Sequence, residues 1–253
     1  ICLIKQIESF EITYYLPSYC MGLYVRYPIG EASAIMEIIK KDRIYINACG
    51  VHVPIGDNIT DVSKVLAKGR CEYLTLATGL LNDRDAYVGA VQKDLPPVIS
   101  GLEEYDCRNN RLMQTCLIQI NDVVQAAIQK YGADRIAVII GTSTSGISNG
   151  EEALIHFKEF GNWPNNFNYL QQEISGLSQF VAAYFDVSGP AYTIATACSS
   201  SAKVFASARR LIRAGIADAV IVGGADTLCQ MTLNGFNSLE LLSQTQCQPF
   251  SAH

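Results

Sequence analysis

The chain predicts an α/β protein whose sheet is mostly parallel, mixed, and covered by helices on both faces. Short β-type runs alternate with segments of helical period, the pattern of strand–helix–strand units. The run at residues 219–222, Ala-Val-Ile-Val, is apolar at every position, as in a strand buried on both faces. Hydrophobic residues make up 49% of the chain against 17% charged, ample for one large core.

Residues 1–42 stand apart. Ile4, Ile7, Phe10 and Ile12 follow no single period, Pro17 and Pro28 mark turns, and Ala34, Ile35, Ile38 and Ile39 predict a short helix over 31–41. The segment reads as an unassigned extension before a domain spanning 43–253. A strand over 43–49 opens that domain. Asn58 then caps a helix whose Ile59, Val62, Val65 and Leu66 share a face. Residues 70–110 read as loop. The strongest helix covers 112–131, where Met113, Leu117, Ile120, Val124, Ala127 and Ile128 keep the period until Gly132 stops it. A strand at 135–140, a short helix at 151–160, a polar connection around Trp163 and a helix at 171–185 (Ile174, Leu177, Val181, Tyr184) follow.

The chemistry concentrates next. A β-type run from Ala191 to Ala197 breaks at Cys198. Ser199, Ser200 and Ser201 offer N-caps for a helix on which Val204, Ala208, Leu211 and Ile212 share a face. Arg209, Arg210 and Arg213 suit its C-terminal half, and Gly215 its end. A strand over 218–223 follows and ends in Gly-Gly-Ala-Asp. Cys198 therefore sits where a strand turns into a helix, at the positive end of the helix dipole. That setting lowers a thiol pKa and makes a nucleophile. A buried, inert thiol is the competing reading, and position alone leaves both open.

Composition narrows the classes. Net charge is −5, with no basic cluster beyond Lys40-Lys41 and Arg209-Arg210, which argues against nucleic-acid binding. No apolar run reaches membrane-spanning length, and the N-terminus lacks the basic start and apolar core of a signal peptide. The nine cysteines include no Cys-x-x-Cys pair. They read as reduced thiols of a cytoplasmic protein, with no metal site and no cofactor. The loop at 141–146, Gly-Thr-Ser-Thr-Ser-Gly, lacks the Gly-Lys-Ser/Thr ending of a phosphate loop.

Several of these stretches, in order, resemble the β-ketoacyl-(acyl carrier protein) synthases, the condensing enzymes of the thiolase superfamily. They are Ile-Tyr-Ile-Asn-Ala-Cys-Gly-Val-His-Val-Pro-Ile-Gly (44–56), Ala-Val-Ile-Ile-Gly-Thr-Ser-Thr-Ser-Gly (137–146), Gly-Pro (189–190), the Cys198 corner, Gly-Gly-Ala-Asp (223–226), Asn-Gly-Phe (234–236) and Pro-Phe-Ser-Ala-His (249–253). Ser-Leu-Glu-Leu-Leu-Ser (238–243) and the serine-rich corner look more like synthases of aryl-polyene-type pathways. The resemblance covers about 43–253 and implies a thiolase-like fold of two similar halves, of which this chain supplies the N-terminal one.

It implies that Cys198 takes an acyl group from a pantetheine thioester. A carrier-bound malonyl group then decarboxylates and attacks the acyl-cysteine. In the family two histidines and a lysine that serve this step lie in the C-terminal half. None of His52, His156 and His253 falls on a family histidine motif, so the fragment is expected to be nearly inactive in condensation. Thr144 is expected beside the acyl pocket, and Gln172 and Glu173 near the partner subunit's acyl tunnel. Acyl carrier protein is the implied partner, with a homodimer formed through the strand from Ala191 to Ala197. Two alternatives stand beside this: a non-condensing chain-length partner subunit, and an unrelated cysteine hydrolase using His52.

Overall fold

The computed structural model describes residues 1–6, 43–69, 73–81 and 84–248; the helix expected over 31–41 and the motif at 249–253 lie outside them. In chain order the elements are β1 (Cys2–Gln6), β2 (Ile44–Cys49), α1 (Ile59–Lys68), β3 (Thr75–Ala77), β4 (Ala86–Val88), α2 (Arg108–Tyr131), β5 (Ile136–Gly141), α3 (Ile147–Phe160), α4 (Gly176–Phe185), β6 (Ala191–Ile194), α5 (Ser200–Arg213), β7 (Ala219–Gly224) and α6 (Gln230–Ser238). Five strands make the main sheet, in the order β2–β1–β7–β5–β6. β5 pairs in parallel with β6 and β7, while β1 runs antiparallel to both β7 and β2.

β5 and β7 are central because every position of each, save the last of β7, is buried. Their side chains alternate between two cores, as the pleat requires. Ile136, Val138, Ile140, Ala219 and Ile221 pack with Leu117, Ile120 and Val124 of α2 and Leu177, Phe180 and Val181 of α4. Ala137, Ile139, Val220 and Val222 face the other way, onto Val204, Ala208 and Ile212 of α5. The result is the three-layer arrangement predicted from sequence.

Several boundaries differ, each for a local reason. α2 begins four residues earlier than the apolar period shows. Its first turn is polar yet buried: the Asn110 amide donates to the Tyr105 carbonyl, and Gln114 accepts from Ile99 N–H and donates to the Pro97 carbonyl. α4 begins at Gly176 instead of 171, because the carbonyls of Gln171 and Glu173 accept bonds from the 142–146 loop and are not free for a helix. β6 ends at Ile194 rather than Ala197, where a tight turn takes over. The stripe expected on α1 is largely open, with Val62 buried but Ile59 and Leu66 half-exposed or more; the Asn58 cap is as expected, and a left-handed Gly69 ends the helix.

Four elements were not legible. The β3–β4 hairpin has only three residues per strand, too few for a period. α6 contains Asn234 and Gly235, which disguise it; its first N–H groups are held by the Glu151 carboxylate, which accepts from Gln230 and Met231 at 2.9 and 2.7 Å. β1 comes from the segment that the sequence left unassigned, and it fills the place between β7 and β2.

Candidate functional site

The site is built at the C-terminal ends of the three parallel strands β5, β6 and β7. After β6 the chain makes a tight turn over Ala197–Ser199 and enters α5 directly. Ala197 is left-handed at φ 51°, a conformation that costs a non-glycine residue about 1–2 kcal/mol. Its surroundings hold it there. The Ala197 carbonyl accepts from the hydroxyls of Ser200 (2.7 Å) and Ser143 (3.2 Å), Thr196 N–H donates to Ser200 Oγ (2.9 Å), and Ser199 Oγ donates to the Thr196 carbonyl (2.9 Å). Over-determined backbone strain of this kind clusters at reactive positions.

The residue that this strained corner presents is Cys198, and its side chain is exposed, unlike Cys2, Cys107 and Cys229. The thiol is therefore not buried, as the competing reading required. The serine cap takes a form not expected from the sequence. No side chain caps the first turn of α5, because the hydroxyls of Ser199 and Ser200 point back into the corner. The N–H groups of Ser199 and Ser200 close the turn on the carbonyls of Thr196 and Ala197.

Two glycines let α5 come this close. A Cβ on Gly141 would lie 2.6 Å from the Ser200 carbonyl carbon, and one on Gly224 would lie 2.1 Å from Ser201 Oγ. The ends of β5 and β7 thus carry no side chain where the helix start presses on them.

Asp226, just past β7, ties the site together. Its Oδ1 accepts from Ser143 N–H (2.7 Å), Thr144 N–H (3.1 Å), Thr142 Oγ1 (3.1 Å) and Thr144 Oγ1 (3.2 Å). Thr144 Oγ1 in turn accepts from Thr227 N–H at 3.0 Å. Sequence reasoning missed Asp226 and Ser143. The signal was present: two polar loops, 141–146 and 223–226, follow strands that pair side by side.

The other expected residues meet on the far side of the same loop. Thr144 is buried and its hydroxyl is fully engaged with Asp226 and Thr227. Gln172 is half-buried; its amide donates to the Gly146 carbonyl at 2.8 Å, and its side chain lies where a Cβ on Gly150 would sit. Glu173 is half-buried, with its carbonyl accepting from Ser145 Oγ (2.8 Å) and its carboxylate from Ser175 Oγ (3.3 Å). The loop 142–146 therefore bridges the Cys198 corner and the 171–173 segment.

Neither described histidine serves Cys198. His52 follows β2, at the opposite edge of the sheet from β6, four strand spacings or about 19 Å away. Its Nδ1 lies 3.2 Å from Asp57, whose carboxyl is held below the usual range chiefly by the Lys93 ammonium bonded to it. His156 Nδ1 pairs with the Asn162 carbonyl at 2.9 Å, and His253 is outside the described residues. Among the described residues no group of three or more His, Cys, Asp or Glu side chains could hold a metal, and no helix is long and apolar enough to cross a membrane.

Comparison with known proteins decides the family. The model for the beta-ketoacyl synthase N-terminal domain matches residues 41–253. The chain belongs to this family. Its fold is the thiolase-like α/β fold of the ketosynthases. A structure of the ketosynthase ApeO in complex with its chain length factor ApeC, from Xenorhabdus doucetiae, is 42% identical, with a TM-score of 0.77, over 81% of this chain and 52% of that one. A putative polyketide beta-ketoacyl synthase from Streptomyces cyaneus is 26% identical over 83% of this chain and 54% of its own length. The 3-oxoacyl-[acyl-carrier-protein] synthase 2 of Synechocystis sp. is 26% identical over 86% of this chain and 53% of its own. This ketosynthase domain thus spans about half the length of the relatives it matches.

Proposed function

We propose that Cys198 is the acyl-accepting nucleophile of a β-ketoacyl synthase acting in fatty acid or polyketide biosynthesis, with an aryl-polyene-type pathway as the finer reading. The observation that carries it is the exposed thiol on a left-handed corner, directly before a helix start that no side chain caps. The sulfur, as thiolate, attacks the carbonyl of an acyl-pantetheine thioester on an acyl carrier protein. The tetrahedral oxyanion collapses, the pantetheine thiol leaves, and the acyl group stays on Cys198. By the resemblance, the backbone N–H of Cys198 is one donor to that oxyanion, and the second comes from the other half of the fold. Carrier-bound malonyl then loses CO2, and its carbanion attacks the acyl-Cys198 carbonyl and expels the thiolate. The groups that stabilise the enolate are those that the resemblance places outside residues 43–253.

The test is direct acylation. Incubation with a short acyl-pantetheine thioester is expected to add one acyl group to the peptide containing Cys198, and Cys198→Ala to lose it. Unchanged acylation of Cys198→Ala, or none in the parent chain, overturns the assignment. A chain-length partner role is the second reading, favoured by the likeness to a ketosynthase–chain length factor complex; it predicts no acyl transfer. The hydrolase reading requires His52 beside Cys198, and the sheet order separates them.

The proposal extends to assembly. β6 is an edge strand with Tyr192 partly exposed, and its outer side is unpaired among the described residues. Such an edge calls for a cover. A second copy of the chain pairing through β6 supplies it, giving a homodimer that works in the cytoplasm with carrier protein as its macromolecular substrate.

A further inference from the structure

A second cysteine arrangement lies outside the site, where β1 meets β2. Ile1 and Gly50 exchange both backbone bonds: Ile1 N donates to the Gly50 carbonyl at 2.7 Å, and Gly50 N–H donates to the Ile1 carbonyl at 2.8 Å. The next pair in the register is Cys2 opposite Cys49. In an antiparallel ladder the two kinds of pair alternate, so Cys2 and Cys49 form a non-hydrogen-bonded pair. Their Cα atoms are then about 4.5 Å apart and their side chains approach most closely. That separation falls within the range a disulfide spans, and opposite residues point to one face of the sheet.

The two thiols are in contact, and they differ in surroundings. Cys49 is exposed, while Cys2 is buried against the α5 side of the sheet. Burial first, and then the Cys49 thiol beside it, push the Cys2 thiol up to about 11. Cys49 is therefore the sulfur an oxidant meets, and Cys2 the one that follows.

We propose that Cys2 and Cys49 form a reversible cross-strand disulfide, made by glutathione disulfide and undone by reduced glutathione, that fastens β1 into the sheet. The Cys49 thiolate attacks glutathione disulfide, whose S–S bond breaks as one glutathione thiolate leaves. Cys2 gives its proton to solvent, and its sulfur attacks the Cys49 sulfur of the mixed disulfide. The second glutathione thiolate departs. Two protein thiols are oxidised by two electrons, and one glutathione disulfide becomes two glutathiones. The consequence follows from the sheet order. Among the described residues β2 pairs with β1 alone, so the bond ties the β2 edge to the centre of the sheet. A bond of this kind in a reducing compartment is transient and responds to redox state.

The chain is equilibrated in glutathione buffers of graded oxidised-to-reduced ratio, quenched in acid with an alkylating agent, and mapped by protease digestion and mass spectrometry. The expected result is a Cys2–Cys49 linked peptide that grows with the oxidised fraction and vanishes with dithiothreitol. The linked form is expected to melt several degrees above the reduced form. Cys2→Ser and Cys49→Ser each lose the link and the shift, whereas Cys198→Ala keeps both. Cys116 lies near Cys49 and provides the competing partner. A Cys49–Cys116 link, glutathione retained on Cys49, or free thiols at every ratio overturns the proposal.

Discussion

At the scale of single residues, the site depends on one carboxylate as well as one thiol. Asp226 receives four donors on a single oxygen, and those donors belong to the loop that reaches the Ala197 carbonyl through Ser143. Asp226 itself is exposed, so removing this acceptor of charge-assisted bonds costs about 0.5–1.5 kcal/mol. Asp226→Ala is expected to lower urea stability by that order and to slow alkylation of Cys198. Asp226→Asn, which keeps one carbonyl oxygen, loses less of both. Urea titration paired with alkylation kinetics reads the two effects separately. The place of Cys198, where a β-run breaks into a helix, was legible in the sequence, while position alone left its role open and the resemblance supplied it. Asp226 was not, because its partners are about eighty residues away and meet it only once β5 and β7 pair.

At the scale of elements, the approach of α5 to the sheet is set by missing side chains. Gly141→Ala places a Cβ against backbone of Ser200, which has no soft end to yield. Overpacking of this kind costs about 1–3 kcal/mol, and here the strain falls on the turn that carries Cys198. The expectation is a lower melting temperature together with slower Cys198 alkylation, and an unchanged melting profile contradicts it. Glu151 supports α6 from another helix by filling two of its open N–H groups. Glu151→Ala is expected to destabilise by about 1–2 kcal/mol and to speed amide exchange at residues 230–238. Elements with a long apolar period, α2 and α5, were legible to within a few residues. Starts made of polar or small residues were not, as at α2, where the first N–H, that of Arg108, donates to Asn149 Oδ1 far along the chain.

At the scale of the whole molecule, the two-faced core was readable from alternation and from the apolar run at 219–222, since a strand buried on both sides needs helices on both sides. Strand order was not. β1 enters between β7 and β2 from a segment with no clear period, and only pairing partners far along the chain define its place. The same sheet leaves β6 at an edge, which bears on assembly. Charge introduced there, as in Tyr192→Glu, is expected to weaken self-association at least tenfold, about 1.4 kcal/mol, in sedimentation equilibrium while leaving the melting temperature nearly unchanged. A parent chain that sediments as a monomer at all concentrations contradicts the edge pairing.

The central claim is that the corner activates Cys198 and does more than expose it. Cys49 and Cys247 are also exposed, so they control for access. Competitive alkylation of the native chain with limiting iodoacetamide, read by peptide mass spectrometry, is predicted to label Cys198 at least tenfold faster than either. Equal rates at all three would contradict the claim.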